Sequence, residues 1–135
     1  MKVIFPMGIE QSISFPNTAL PSWVALKSFL DHHGYPISLR MIDGELAFPD
    51  EVPPDTWREL RVGTPEGMVT MRRDKDRLVL VTWGNADAAL MQAWNGLVWA
   101  AAELGDGRIE SPNGVVTAAD FRRAADLPAV LRRET

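Results

Sequence analysis

RLVLVTWGNADAALMQAWNGLVWAAAELG, Arg77 to Gly105, decides the fold. Leu78-Val79-Leu80-Val81 is apolar at every position, so the alternation of a strand gives it two apolar faces, and both are expected to be covered. The chain then runs into a helix expected over 86–104. Asn85 is placed to cap its first turn, Asp87 to meet the positive end of the helix dipole, and Gly105 to stop it in a left-handed conformation. Trp83 closes the buried strand.

At about 100° per residue, Ala86, Leu90, Ala93, Trp94, Leu97, Ala101 and Leu104 share one broad face, the expected core face. Ala89, Ala93, Gly96 and Ala100 form a seam of small residues beside it. A glycine inside a helix costs ~1 kcal/mol relative to alanine, so Gly96 points to close approach by another element. Gln92, Asn95 and Glu103 lie opposite and should face water, with Trp99 in their midst.

Working outward, residues 37–48 (ISLRMIDGELAF) place Asp43-Gly44 between two alternating runs, the signal for a hairpin with a two-residue type I′ turn. The register then sets Ile42 against Glu45, Met41 against Leu46 and Leu39 against Phe48, with Leu39, Met41, Leu46 and Phe48 on one face. Residues 57–83 read as a meander of three strands turned at Gly63–Gly67 and at Arg73–Asp76. Ile9, Gln11, Ile13 and Phe15 alternate with polar residues, as in a half-buried strand near a sheet edge. A shorter helix is expected over 21–33, with Pro21 at its first position. Toward the end, Pro112-Asn113-Gly114 turns a small hairpin, and Thr117 starts a last helix. The fold expected is a single α+β domain over 1–135. Its mostly antiparallel sheet (hairpin 37–48 plus meander 57–83) is packed by helices 86–104 and 21–33, with a small C-terminal hairpin and helix.

A chain of 135 residues, 46% hydrophobic, is long enough to bury one true core. A net charge of −4 argues against general affinity for nucleic acid or an anionic membrane, since both require a basic surface. With no cysteine and two histidines, thiolate chemistry is excluded and a structural metal is not expected. The N-terminal MKVIFPMGIEQ lacks an apolar run of signal-peptide length, and nowhere do 18 apolar residues run together; the expected location is cytoplasmic.

Asp31-His32-His33 is the one concentration of acid–base or metal-binding side chains. Adjacent helical residues point about 100° apart, so the two histidines cannot share a metal as an i, i+4 pair would. Stabilisation of the helix end accounts for them better. The carboxylates Asp43, Glu45, Asp50, Glu51 and Asp55 fall in a turn and a proline-rich loop, where acids stay solvated. No phosphate-binding loop and no nucleophile elbow is present. No catalytic residue, metal or cofactor is therefore assigned.

Two tryptophans, Trp57 and Trp99, have no assured burial site. Exposed together with Asp50, Glu51 and Asp55, and with Gln92, Asn95 and Glu103 around Trp99, they would form the aromatic anchors and charged rim of a protein interface. The run Trp99–Glu110, a helix closing into a glycine-rich turn and strand, resembles a feature of several small bacterial α+β proteins, including some immunity proteins that neutralise a partner toxin. It spans a small part of the chain and assigns no residue. The reading that follows is a non-catalytic protein acting on another protein or a second copy of itself, possible roles being an immunity-type inhibitor or a homodimer-forming module. The alternative is a small-molecule-binding protein or enzyme whose pocket between sheet and helices uses Asp31, His32, His33 or Arg40.

Overall fold

A computed structural model describes residues 8–16, 20–111 and 114–132. The chain forms one antiparallel sheet, packed on one face by helices. Its strands are β1 (Gly8–Ser14), β2 (Ser38–Ile42), β3 (Glu45–Leu46), β4 (Glu59–Thr64), β5 (Gly67–Asp74), β6 (Arg77–Trp83), β7 (Arg108–Ser111) and β8 (Gly114–Thr117), in the order β3-β2-β4-β5-β6-β1-β7-β8. The helices are α1 (Trp23–His32), α2 (Ala88–Gly105), α3 (Ala118–Ala124) and the short α4 (Ala129–Arg132). This is the α+β architecture expected, with hairpin, meander, long helix and C-terminal hairpin in place; Pro112 and Asn113 of that last turn lie outside the described residues.

Strand β1 is not near an edge. It lies between β6 and β7, with Ile13 facing Leu78 on one side and Ile109 on the other. Glu10, Ser12 and Ser14, the polar half of its alternation, share a sheet face that no helix covers among the described residues, whereas Gln11 lies on the core side with Ile9 and Ile13. Residues Ile13, Phe15, Leu60, Val62, Val69, Met71, Leu78, Leu80 and Ile109 are buried on the other face beneath the helices.

The Asp43-Gly44 turn has the positive φ values of a type I′ turn, 49° and 85°. Ile42–Glu45 and Met41–Leu46 pair as expected. The Leu39–Phe48 pair does not form. Leu39 N–H bonds Pro49 O instead, and β2 carries an irregularity at Arg40, with Leu39 opposite Val62 but Met41 opposite Arg61. An extra residue in one strand reverses the alternation beyond it. Leu39 is therefore buried in the core while Leu46, 89% exposed, and Phe48 face solvent.

Helix α2 starts later than expected. Asp87, not Asn85, is the N-cap, its carboxylate accepting from Leu90 N–H at 2.8 Å. The left-handed terminal residue is Asp106 (φ 52°), one beyond Gly105, which is still helical. Helix α1 begins at Trp23, not Pro21, because the Ser22 hydroxyl caps it by accepting from Ala25 N–H. At the start of α3, Thr117 accepts from Asp120 N–H in the same way.

The core face of α2 is wider than one stripe. Ala93 and Trp94 and every residue from Gly96 to Ala102 are buried, whereas Leu104 is partly exposed. Two layers account for this. The sheet covers one side; α1, α3 and the segment Leu127–Leu131 cover much of the rest. The small-residue seam meets that segment, with Gly96 directly under Pro128 and Leu131.

Candidate functional site

The tryptophans expected at a surface are inside. Trp99, 2% exposed, lies 5.4 Å from the Phe29 ring and 5.8 Å from the His33 ring, and the Arg122 guanidinium stacks 4.9 Å from its centroid. Trp57, 5% exposed, is covered by the Arg73 guanidinium at 4.3 Å. Neither is exposed as a surface anchor would be. Gln92 and Asn95 are half-buried and engaged within the chain, donating to the Asp126 carboxylate and backbone carbonyl respectively, both at 3.0 Å. Glu103 remains exposed. Asp50, Glu51 and Asp55 are exposed as expected, but Glu51 folds back to accept from Phe48 N–H, and the Asp55 carbonyl accepts from Arg73.

The polar residues of the alternative reading are not brought together. The His32 and His33 Nδ1 atoms lie 2.9 and 2.8 Å from the carbonyl oxygens of Ser28 and Phe29, one helical turn back. This ties each ring to its own helix. Asp31 pairs with Lys27 and, with His32, borders a shallow depression beside Asp50–Val52. His33 is part of the cover over Trp99, and Arg40 lies across Gly63 on the sheet. Among the described residues, no group of three or more His, Asp or Glu side chains is placed to hold a metal ion.

The surface that stands out is the face of the sheet that no helix covers among the described residues. Strand pairing sets its residues in rows: Arg61–Thr70–Val81–Glu10, then Glu59–Arg72–Val79–Ser12–Glu110, then Asp74–Arg77–Ser14–Arg108. Arg72 lies 3.3 Å from the Glu59 carboxylate and 3.8 Å from that of Glu10, and Arg77 pairs with Glu110 across β1. Beyond the first row, Met68 and Trp83 flank a cleft of about 360 Å³ whose floor is Thr70 and Val81. Trp83 is 58% exposed, and Leu46, Met68 and Val115 are further exposed apolar side chains on this face.

This corrects two sequence expectations. The apolar Leu78–Val81 run is covered on one side only, with Val79 and Val81 half-exposed on the bare face. Trp83 does not close a buried strand. The parity of β6 carried the signal, since Leu78, Leu80 and Thr82 alternate with Arg77, Val79, Val81 and Trp83, so the charged Arg77 marks the outward set.

Among the described residues, two titratable groups have displaced pKa values, and neither belongs to this face. The backbone N–H groups of Glu59 and Arg58 both donate to the Asp43 carboxylate at 2.8 Å and hold it below the usual carboxylate range. Burial pushes the Tyr35 phenol above its ordinary value, and its 2.6 Å hydrogen bond to Glu66 adds to the shift.

Among the described residues, no helix is long and apolar enough to cross a membrane. The chain matches no known protein family, no curated protein and no solved structure.

Proposed function

We propose that this is a non-catalytic cytoplasmic protein that works by protein contact, that the bare face of the sheet is its contact surface, and that its partner is a second copy of the chain. The observation that carries the reading is Trp83, more than half exposed at the end of β6 on a face bearing both charge signs. Packing Trp83 away from water contributes on the order of 3 kcal/mol per copy, and a two-fold contact counts it twice.

Charge selects the partner. The chain as a whole is acidic, at −4, yet Glu10, Glu59, Asp74 and Glu110 on this face are matched by Arg61, Arg72, Arg77 and Arg108. A face built for a strongly acidic or basic partner would carry one sign. A balanced mosaic suits a rotated copy of itself, with arginines set against carboxylates.

Sedimentation equilibrium over a concentration series tests the reading. The wild-type chain should form a dimer, and Trp83→Lys should be monomeric with an unchanged melting temperature under dilute conditions. A wild-type monomer up to several hundred micromolar, or a dimer indifferent to Trp83→Lys, overturns the second-copy assignment. The resemblance to immunity proteins names the form this surface would take with a different partner. A monomer captured in a one-to-one complex through Trp83 would favour that inhibitory role.

A further inference from the structure

A second concavity lies on the helical side of the sheet, and the local topology makes it. Strand β1 begins at Gly8 but pairs with β7 only across Ser12–Ser14, so Gly8–Gln11 have no strand neighbour on that side among the described residues. Helix α3 passes over this gap without filling it. The result is an open cleft of about 540 Å³ walled by Ile9, Trp94, Val116 and Phe121, within the size range of small-molecule sites.

One polar group is set into this apolar surround. Gln11 occupies a core-facing position between Ile9 and Ile13 and is 6% exposed. Its Nε2 donates to Asn95 Oδ1 at 3.0 Å, and Asn95 Nδ2 in turn donates to the Asp126 carbonyl at 3.0 Å. This relay fixes the orientation of the Gln11 carboxamide. Its carbonyl oxygen accepts no hydrogen bond among the described residues, yet it is not one of the sealed, unpartnered atoms, which are Arg73 Nε, Thr82 Oγ1 and Trp99 Nε1. Since Gln11 lines the cleft, that oxygen opens onto it. Water in the open cleft can reach this oxygen, and a ligand that displaces that water without replacing its hydrogen bond loses affinity, so a fixed acceptor at the base of an apolar cleft is suited to a ligand that brings a donor.

Charge at the mouth narrows the class further. Asp120 borders the cleft, and the neighbouring arginines are engaged, Arg123 with Asp120 and Arg132 with Asp126, while the Glu10 carboxylate is turned to Arg72 on the other face. An anion would meet the Asp120 carboxylate there and arginines that already have partners. We propose that this cleft binds a small, uncharged, flat apolar molecule carrying an amide-like group, whose N–H donates to Gln11 and whose rings pack between Trp94 and Phe121.

The test uses 2-naphthamide as probe. Controls are 2-acetylnaphthalene, which keeps the rings and carbonyl but lacks the donor, and 2-naphthoate, which is anionic. Each is titrated into isotope-labelled full chain and followed through the Trp94 indole and Gln11 side-chain resonances. The amide should bind saturably, about tenfold more tightly than the ketone, and the carboxylate should bind weakest. Gln11→Leu should abolish the preference for the amide while retaining ring binding. Ala124→Trp, at an exposed position on the cleft wall, should block all three probes without altering the fold. Absence of saturable shifts at millimolar amide, an amide preference that survives Gln11→Leu, or binding that survives Ala124→Trp each overturns the proposal.

Discussion

Gly96 offers a quantitative test of how α2 is held. A Cβ added there would lie 2.8 Å from Leu131 Cδ1 and 3.2 Å from Pro128 Cδ. Two effects oppose each other in Gly96→Ala. Alanine is favoured over glycine in a helix interior by ~1 kcal/mol. Overpacking a filled core costs ~1–3 kcal/mol. The 2.8 Å contact would be harmless if Leu131 could swing into solvent, but Leu131 is fully buried, and the proline ring is stiff. The steric cost should therefore match or exceed the propensity gain, leaving Gly96→Ala neutral to ~2 kcal/mol destabilising.

The Leu131→Ala background separates the two effects. That change alone should cost ~2–5 kcal/mol through the cavity it opens. With the leucine gone, Gly96→Ala should express its helix preference and become stabilising by ~1 kcal/mol, so the two sites should couple by ~1–3 kcal/mol. Urea unfolding of the four proteins measures this, since 1 kcal/mol moves the midpoint by ~0.5 M at a slope of ~2 kcal/mol/M. Equal stabilisation by Gly96→Ala in both backgrounds would refute the close approach of the C-terminal segment to α2.

Two further predictions follow from the displaced pKa values. Asp43 has a depressed folded-state pKa, so its contribution is present above the ordinary carboxylate value and is lost as pH falls through the folded one. Asp43→Asn should therefore be less stable than wild type at pH 7, with the gap closing below about pH 4. Parallel urea-midpoint curves between pH 3 and 7 would count against this. Tyr35 is displaced the other way, so its contribution is intact below about pH 10 and declines as pH rises from there toward the folded value. Tyr35→Phe should lose ~1 kcal/mol at neutral pH with the bond to Glu66, and should show a shallower alkaline decline in thermal melts from pH 9 to 11.5. An equally steep decline in the variant would remove Tyr35 as its cause.

Much of the fold was legible because local chemistry and global packing agree there. Asp43-Gly44 could hardly be anything but the hairpin turn, and the meander's turn residues fall where the strands end. What could not be read was phase inside β2. The irregularity at Arg40 has no compositional mark, and it moves Met41 and Leu46 to the face opposite Leu39. The position of β1 was hidden for a related reason. Polar alternation shows that one face of a strand is wet, which holds for a central strand as well as an edge strand when helices cover only one side of the sheet.

Trp99 shows why the candidate interface moved. A helix of 18 residues lying on a sheet alone would bury one stripe, and Trp99, opposite that stripe, would then be a surface aromatic. But α2 is covered a second time, by Phe29 and His33 of α1, by Arg122 of α3 and by the segment carrying Pro128 and Leu131. Each covering residue comes from a segment whose sequence distance hides the contact, and only Gly96 hinted that a second layer approached. Once the chain spends its helices, loop and C-terminal segment on that one side, none of them covers the opposite face of the sheet. The exposure of Trp83 is thus the consequence of the burial of Trp99, and the same layering that removes one aromatic from the surface leaves the other on it.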